Sequence, residues 1–174
     1  SAMADIINTL YSWLWSTPMI VFCIAAGVIF TLMTKFAQVR LIGDMIKQMF
    51  RGKSSKSGIS SFQALSLALS GRVGTGNIAG VATAIAYGGP GAVFWMWLIA
   101  FFGAATAYVE STLGQIYKEK VDGEYRGGPA YYIEKGLNRR WAGMIFGVAG
   151  LLAMAVLMPG VQSNAISAGF DNAF

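Results

Sequence analysis

Histidine is absent from the chain, cysteine occurs once, and charged residues make up only 12% of its 174 residues. The lack of histidine excludes imidazole chemistry, and the single Cys23 can form neither an internal disulfide nor a thiolate metal site. A soluble domain carries roughly 25% charged residues. This scarcity of charge, together with a hydrophobic content of 55%, indicates a membrane protein.

The few basic residues are concentrated in two stretches. Twelve of the thirteen lysine and arginine residues lie in residues 35–56 and 118–140, and the surrounding segments are almost entirely apolar. Basic residues collect in the cytoplasmic loops of membrane proteins, so both stretches are predicted to face the cytoplasm. The net charge of +5 is then explained by loops that lie beside anionic lipid. No nucleic-acid partner is predicted.

Four apolar segments are long enough to cross a hydrocarbon core of about 30 Å. They predict an all-α polytopic membrane protein, with the lipid bilayer as its surroundings and the N-terminus outside. An amphipathic helix is expected on the cytoplasmic surface after the first span, and Pro159-Gly160 is expected to interrupt the last. The predicted spans, within residues 1–174, are about 18–38, 61–88, 92–117 and 141–168.

The second span contains an unusual stretch, SGRVGTGNIAG at residues 70–80. Each glycine inside a helix costs about 1 kcal/mol relative to alanine. An arginine near the bilayer centre, here Arg72, adds about 2.5–3.5 kcal/mol. A continuous helix is therefore unfavourable, and the span is predicted to unwind at about 71–76 and to resume near Asn77.

Unwound backbone inside a membrane must face a cavity lined by protein. Its free carbonyl groups coordinate small cations, and the start of the second half-helix suits a carboxylate. We therefore predict that this span binds Na⁺ and the carboxylate of an amino acid. Two alternatives remain open: a membrane scaffold or assembly subunit in which Gly76 and Gly80 only pack helices, and an ion channel whose filter uses the same carbonyls.

Two further features lie within the apolar spans. Arg72 and Glu110 are predicted on the cytoplasmic side of the break, where an ion pair between them forms a candidate inner gate; alternatively, Glu110 only extends to the interface. Gln162 belongs to a polar triplet in the fourth span, and such side chains usually face the protein interior. Gln162 is therefore predicted either to contact a substrate or to bond to a neighbouring helix.

Two blocks of sequence resemble the alanine or glycine:cation symporter family. One is GTGNIAGVATAI at residues 74–85, followed by GGPGAVFWMW at 88–97, and the other is DGEYRGGPAYYIEKGL at 122–137. The resemblance implies a secondary transporter of alanine or glycine, not an enzyme, that works by alternating access. It implies no catalytic residues and no covalent cofactor. The coupling ion would be Na⁺, or H⁺ as in some members.

The resemblance also implies a fold. Members of the family have a LeuT-type inverted-repeat fold in which the first core helix is broken, and that helix would be 61–88 here. They are longer, with a second repeat that completes the binding sites. We therefore expect an N-terminal part of a transporter, with a partial LeuT-type fold and a broken second helix, that does not transport in isolation.

Finally, the resemblance assigns roles to individual residues. It implies that the backbone amides of Thr75 and Gly76 bind the substrate carboxylate and that Gln162 is a polar substrate contact. The implied Na⁺ ligands are the carbonyl groups of Ser70 and Val73 and the side chain of Asn77.

Overall fold

The computed structural model describes residues 2–52 and 58–173. Residues 53–57, which belong to the first basic stretch, lie outside the described part. The described residues are mostly helical. In chain order the elements are α1 (Ala2–Leu14), α2 (Thr17–Met33), α3 (Ala37–Arg40), α4 (Ile42–Arg51), α5 (Ser61–Ser70), a 3₁₀ helix (Thr75–Asn77), α6 (Ala79–Gly88), α7 (Gly91–Ile116), β1 (Glu119–Val121), β2 (Glu124–Arg126), α8 (Pro129–Gly136), α9 (Arg140–Leu152), a π-helical turn (Ala153–Leu157) and α10 (Met158–Ala173).

Within the described residues, three stretches of helix are long and apolar enough to cross a membrane: Ala2–Met33, Gly91–Ile116 and Arg140–Ala173. This agrees with the predicted polytopic membrane protein. The segment 61–88, expected as a fourth span, contains two ten-residue helices, α5 and α6. At about 1.5 Å per residue each is roughly 15 Å long, so neither crosses a bilayer alone.

The first apolar helix ends earlier than the predicted bound at residue 38. α2 stops at Met33, and α1 extends the helical region back to Ala2. Lys35 and Phe36 have φ angles of 53° and 54°, which belong to the left-handed region and cannot continue a right-handed helix. The amphipathic helix expected next is divided into α3 and α4.

The predicted interruption at Pro159-Gly160 is wrong. Helix continues from α9 through the π-helical turn at Ala153–Leu157 into α10. A proline inside an α-helix removes one hydrogen bond and clashes with the carbonyl group four residues earlier. A π-helical turn shifts the bonding pattern by one residue, and here it ends two residues before the proline. The wider turn lets the helix pass Pro159 without ending.

The expectation of an all-α fold is also wrong at one place, where residues 119–126 form a β-hairpin. β1 and β2 are antiparallel, with Val121 opposite Glu124. The two turn residues, Asp122 and Gly123, have φ angles of 52° and 86°. Asp-Gly is a favoured pair for the tight hairpin turn that needs two positive φ angles, so this pair was a signal in the sequence from which the hairpin could have been predicted.

α2 packs closely against α7, and this contact contains most of the small buried core. A Cβ atom built on Gly27 would lie 3.1 Å from the Cβ of Phe102, so glycine permits the close approach. Thr31 is buried, and its hydroxyl donates a hydrogen bond to the carbonyl of Gly27 at 2.8 Å. In the described part of the chain, Ala37 and Ala105 are the buried hydrophobic residues, while most large apolar side chains are exposed. Helices with small residues at their contacts and apolar outer faces are typical of proteins in lipid.

Candidate functional site

The segment between α5 and α6 is interrupted where the sequence predicts. α5 begins with a capping box in which Ser60 and Gln63 exchange hydrogen bonds at 2.9 and 3.2 Å, and it ends at Ser70. The 3₁₀ helix follows at Thr75–Asn77, and α6 begins at Ala79. The interruption therefore covers residues 71–78, two residues more than the predicted range of 71–76.

The interruption leaves carbonyl groups uncovered. The carbonyl oxygens of Ser70 and Val73 accept no hydrogen bond from the described part of the chain. The amide groups of Arg72 and Val73 bond back to the carbonyl of Leu69, both at 3.0 Å, so the chain turns away from the helix axis at this point. Free carbonyl oxygens in an unwound membrane helix are the groups that coordinate Na⁺ in broken-helix transporters.

Gln162, on α10, bonds to the start of the 3₁₀ helix. Its side-chain oxygen Oε1 accepts a hydrogen bond from the amide nitrogen of Thr75 at 3.0 Å and another from the Thr75 hydroxyl. Both groups are partly buried. The next amide, that of Gly76, has no hydrogen-bond partner among the described residues. One of the two amides predicted to bind a carboxylate is thus covered by a side chain, and the other is open.

Gly74 leaves room for the side chain of Gln162 beside Thr75. A Cβ atom at Gly74 would lie only 2.7 Å from Nε2 of Gln162. The φ angle of Gly74 is −160°, an extended conformation that any residue adopts, so the role of glycine here is to leave space for the carboxamide of Gln162. The amide of Gly74 donates a hydrogen bond to Oδ1 of Asn77 at 2.9 Å, which fixes the turn. From the sequence, Gly74 was predicted only as a helix breaker, and its contact with Gln162 was not predicted.

Arg72 and Glu110 line one cavity of about 400 Å³, together with Lys118, Arg126 and Tyr132. They form no ion pair; the one present in the described part of the chain joins Lys135 and Glu119 at 2.6 Å. The inner gate formed by Arg72 and Glu110 therefore stays a prediction.

Tyr132, on α8, also lines this cavity. No pattern in the sequence identified this residue in advance. Burial raises the pKa of its phenol above the usual value, and the nearby carboxylate of Glu110 raises that pKa further. Both effects disfavour a charged phenolate. Tyr132 is therefore a neutral hydroxyl in the cavity at physiological pH.

The interruption brings uncovered carbonyl oxygens and an uncovered amide into one short segment. No group of three or more His, Cys, Asp or Glu side chains that could hold a metal ion occurs among residues 2–52 and 58–173. The oxygens at the interruption are instead neutral carbonyl and amide oxygens. Neutral oxygens suit a monovalent cation, and the amides that begin a helix suit a carboxylate. The arrangement offers binding groups but no nucleophile paired with a base.

Three proteins with known names are similar to this chain. YrbD of Bacillus subtilis (strain 168), provisionally named a sodium/proton-dependent alanine carrier, is 68% identical over 99% of the chain and 36% of its own length. GlnT of the same strain, likewise provisionally named a sodium/glutamine symporter, is 52% identical over 92% of the chain and 34% of its own length. The sodium/alanine symporter AgcS of Methanococcus maripaludis is 43% identical over 94% of the chain and 38% of its own length.

The chain thus spans little more than a third of the length of these relatives. A sequence model of the sodium:alanine symporter family matches residues 1–174. Members of this family are transporters and not enzymes, in agreement with the binding groups at the interruption. This chain belongs to the sodium:alanine symporter family.

Proposed function

We propose that this chain forms the N-terminal part of a Na⁺-coupled symporter that moves alanine or glycine across the cytoplasmic membrane by alternating access. The observation that carries this proposal is the interruption at residues 71–78, with Gln162 bonded across it. The names of YrbD and AgcS support sodium coupling and alanine, whereas GlnT carries the name of a glutamine symporter. The proposal of alanine or glycine follows the resemblance of residues 74–85, 88–97 and 122–137 to the alanine or glycine:cation symporter family.

The substrate carboxylate binds at the amides of Thr75 and Gly76. These groups lie in the short 3₁₀ helix at Thr75–Asn77, which precedes α6, and backbone amides that are free of a helical partner attract a carboxylate. The Gly76 amide is already open, and the Thr75 amide is bonded only to the neutral side chain of Gln162. Gln162 is then beside the bound substrate and supplies its polar contact.

The coupling Na⁺ binds next to this carboxylate, at the carbonyl groups of Ser70 and Val73 and the side chain of Asn77. The two carbonyl oxygens are free of hydrogen bonds from the described residues. Oδ1 of Asn77 accepts one hydrogen bond, from Gly74, and keeps a second lone pair for a ligand. A cation and a carboxylate bound to one unwound segment attract each other, which couples their binding.

The surrounding architecture is proposed to be LeuT-type, with segment 61–88 as the first broken helix of an inverted repeat. Helices beyond residue 174 would complete the second repeat and both binding sites, since the named relatives are almost three times as long. Arg72 and Glu110 would close the cytoplasmic side as an inner gate. The N-terminus is proposed to lie outside the cell.

Uptake into proteoliposomes tests this function. The protein made from its complete reading frame should take up labelled alanine saturably when Na⁺ is higher outside, and uptake should stop when choline replaces Na⁺. Uptake driven by a pH gradient without Na⁺ would assign H⁺ as the coupling ion instead. A scaffold subunit would give no uptake and a channel non-saturable flux, and either result would refute the symporter proposal.

A further inference from the structure

We propose that Gln162 is an internal substitute for the substrate carboxylate. Its side-chain oxygen occupies the proposed binding position at Thr75, and an incoming amino acid must displace it. This inference rests on the proposed function, because it assumes that the substrate carboxylate binds at Thr75 and Gly76. It goes further in giving Gln162 a second role, as a competitor of the substrate.

The hydrogen-bond geometry carries the inference. Two donors of one residue, the backbone amide and the hydroxyl of Thr75, converge on the single oxygen Oε1 of Gln162. Such convergent donors are the arrangement that a carboxylate oxygen takes in a binding site. A carboxamide oxygen has the same shape but no charge, so it satisfies the same donors more weakly. The substitute is therefore strong enough to cover the site and weak enough to be replaced.

The surroundings of Gln162 fit a side chain held at this one position. Its Nε2 atom occupies the space where a Cβ of residue 74 would be, so the missing side chain at Gly74 makes room for the carboxamide. The amide of Gly76, one residue beyond the covered one, has no partner among the described residues. A carboxylate can therefore bind first at Gly76 and then displace Oε1 from Thr75. During this exchange the Thr75 amide passes from the Gln162 oxygen to the carboxylate, so it always has a hydrogen-bond partner.

The affinity of the protein for acetate, which has a carboxylate but no amino group, tests whether Gln162 competes with a carboxylate. The protein from the complete reading frame is placed in lipid nanodiscs with saturating Na⁺, as wild type, as Gln162→Leu and as the control Gln48→Leu. Gln48 is exposed on α4, whose main contacts are with α3 and α5. If the covered state is about tenfold more populated than the open one, removing the substitute strengthens acetate binding about tenfold. The control should bind acetate as the wild type does.

Each outcome separates this inference from the proposed function. Unchanged or weaker acetate binding in Gln162→Leu, with alanine still binding to the wild type, overturns the substitute but leaves the symporter. Tighter acetate binding in Gln162→Leu, without any alanine binding to the wild type, supports the substitute and refutes the symporter.

A second variant keeps the test decisive if Gln162→Leu does not fold. Gln162→Glu preserves both hydrogen bonds to Thr75 and makes the substitute itself a carboxylate. Acetate affinity should then fall at least tenfold, because a charged acceptor holds the same donors more strongly. Unchanged acetate affinity in Gln162→Glu would overturn the inference.

Discussion

At position 74 an added side chain would compete with the end of the Gln162 side chain for the same space. The carboxamide of Gln162 fills the place of a side chain there, and the same carboxamide holds Thr75 through two hydrogen bonds. The geometry of the proposed substrate site therefore depends on one absent methyl group.

Gly74→Ala tests this dependence. The new methyl group should push Gln162 away from Thr75 and free both donors of that residue, so acetate should bind about tenfold more tightly, as in Gln162→Leu. Gly80→Ala is the matched control, because a Cβ atom added at Gly80 on α6 would meet nothing within 4 Å. The change is measured as acetate affinity in lipid nanodiscs with saturating Na⁺. Equal effects of the two substitutions would contradict the account.

Asn77 has two roles, and both depend on its side-chain oxygen. Its Oδ1 fixes the turn by accepting a hydrogen bond from Gly74, and the same oxygen is a proposed Na⁺ ligand. Asn77→Ala removes both roles and should weaken Na⁺ activation of uptake about tenfold or more, in line with the loss of one ligand and one hydrogen bond. Asn77→Asp keeps the oxygen and should retain Na⁺ activation. Unchanged Na⁺ dependence in Asn77→Ala would argue against this ion site.

The residues of the interruption were predictable from the sequence, while their partners were not. Four glycines and Arg72 make a continuous helix costly within one short stretch, so the break follows from local energetics. The contact between Gly74 and Gln162 joins residues far apart in the chain. It depends on how α10 passes the interruption, and no local pattern encodes that.

At the scale of the elements, the π-helical turn sets which way Gln162 faces. Ala153–Leu157 ends five residues before Gln162, and an extra residue in a helical turn rotates everything beyond it by about 100°. The sequence predicted a break at Pro159 because proline usually ends or kinks a helix. The structure keeps the helix and places the irregularity just before the proline, a solution that the proline alone does not reveal.

Deletion of Ala155 tests the role of the π-helical turn. Removing one residue should convert the turn to ordinary α-helix and rotate Gln162 away from Thr75, so that Na⁺-dependent uptake is lost. Deletion of Ala168 also shortens the helix by one residue, but it lies beyond Gln162 and leaves the direction of that side chain unchanged. Both variants are compared by uptake and by the amount of folded protein in the membrane. If the Ala155 deletion transports as well as the Ala168 deletion, the turn does not position Gln162.

At the scale of the whole molecule, charge predicts orientation. Twelve of thirteen basic residues lie in 35–56 and 118–140, and basic loops stay on the cytoplasmic side. In a Cys23→Ala background, Ala4→Cys should react with an impermeant thiol reagent in intact cells. Glu124→Cys, in the exposed hairpin, should react only after the membrane is permeabilised. The reverse labelling pattern would show that the N-terminus lies inside.

The sequence also predicted that the whole molecule is a polytopic membrane protein, because long apolar segments separated by basic loops are not found in soluble proteins. The LeuT-type arrangement was implied only by resemblance, and it involves a second repeat that these 174 residues do not contain. Helical packing within the described chain is confined largely to α2 with α7 and α8 with α9. The large exposed apolar surface therefore has to meet lipid or further helices.

Amide hydrogen exchange at residues 71–78 tests the central claim most directly, that this interruption is the binding site for the ion and the amino acid. The account predicts that Na⁺ and alanine together slow exchange there about tenfold or more, because bound ligands hold the unwound segment closed. Exchange in the hairpin at residues 119–126 should not change. If alanine binds and the protection appears only outside residues 71–78, the interruption is not the site.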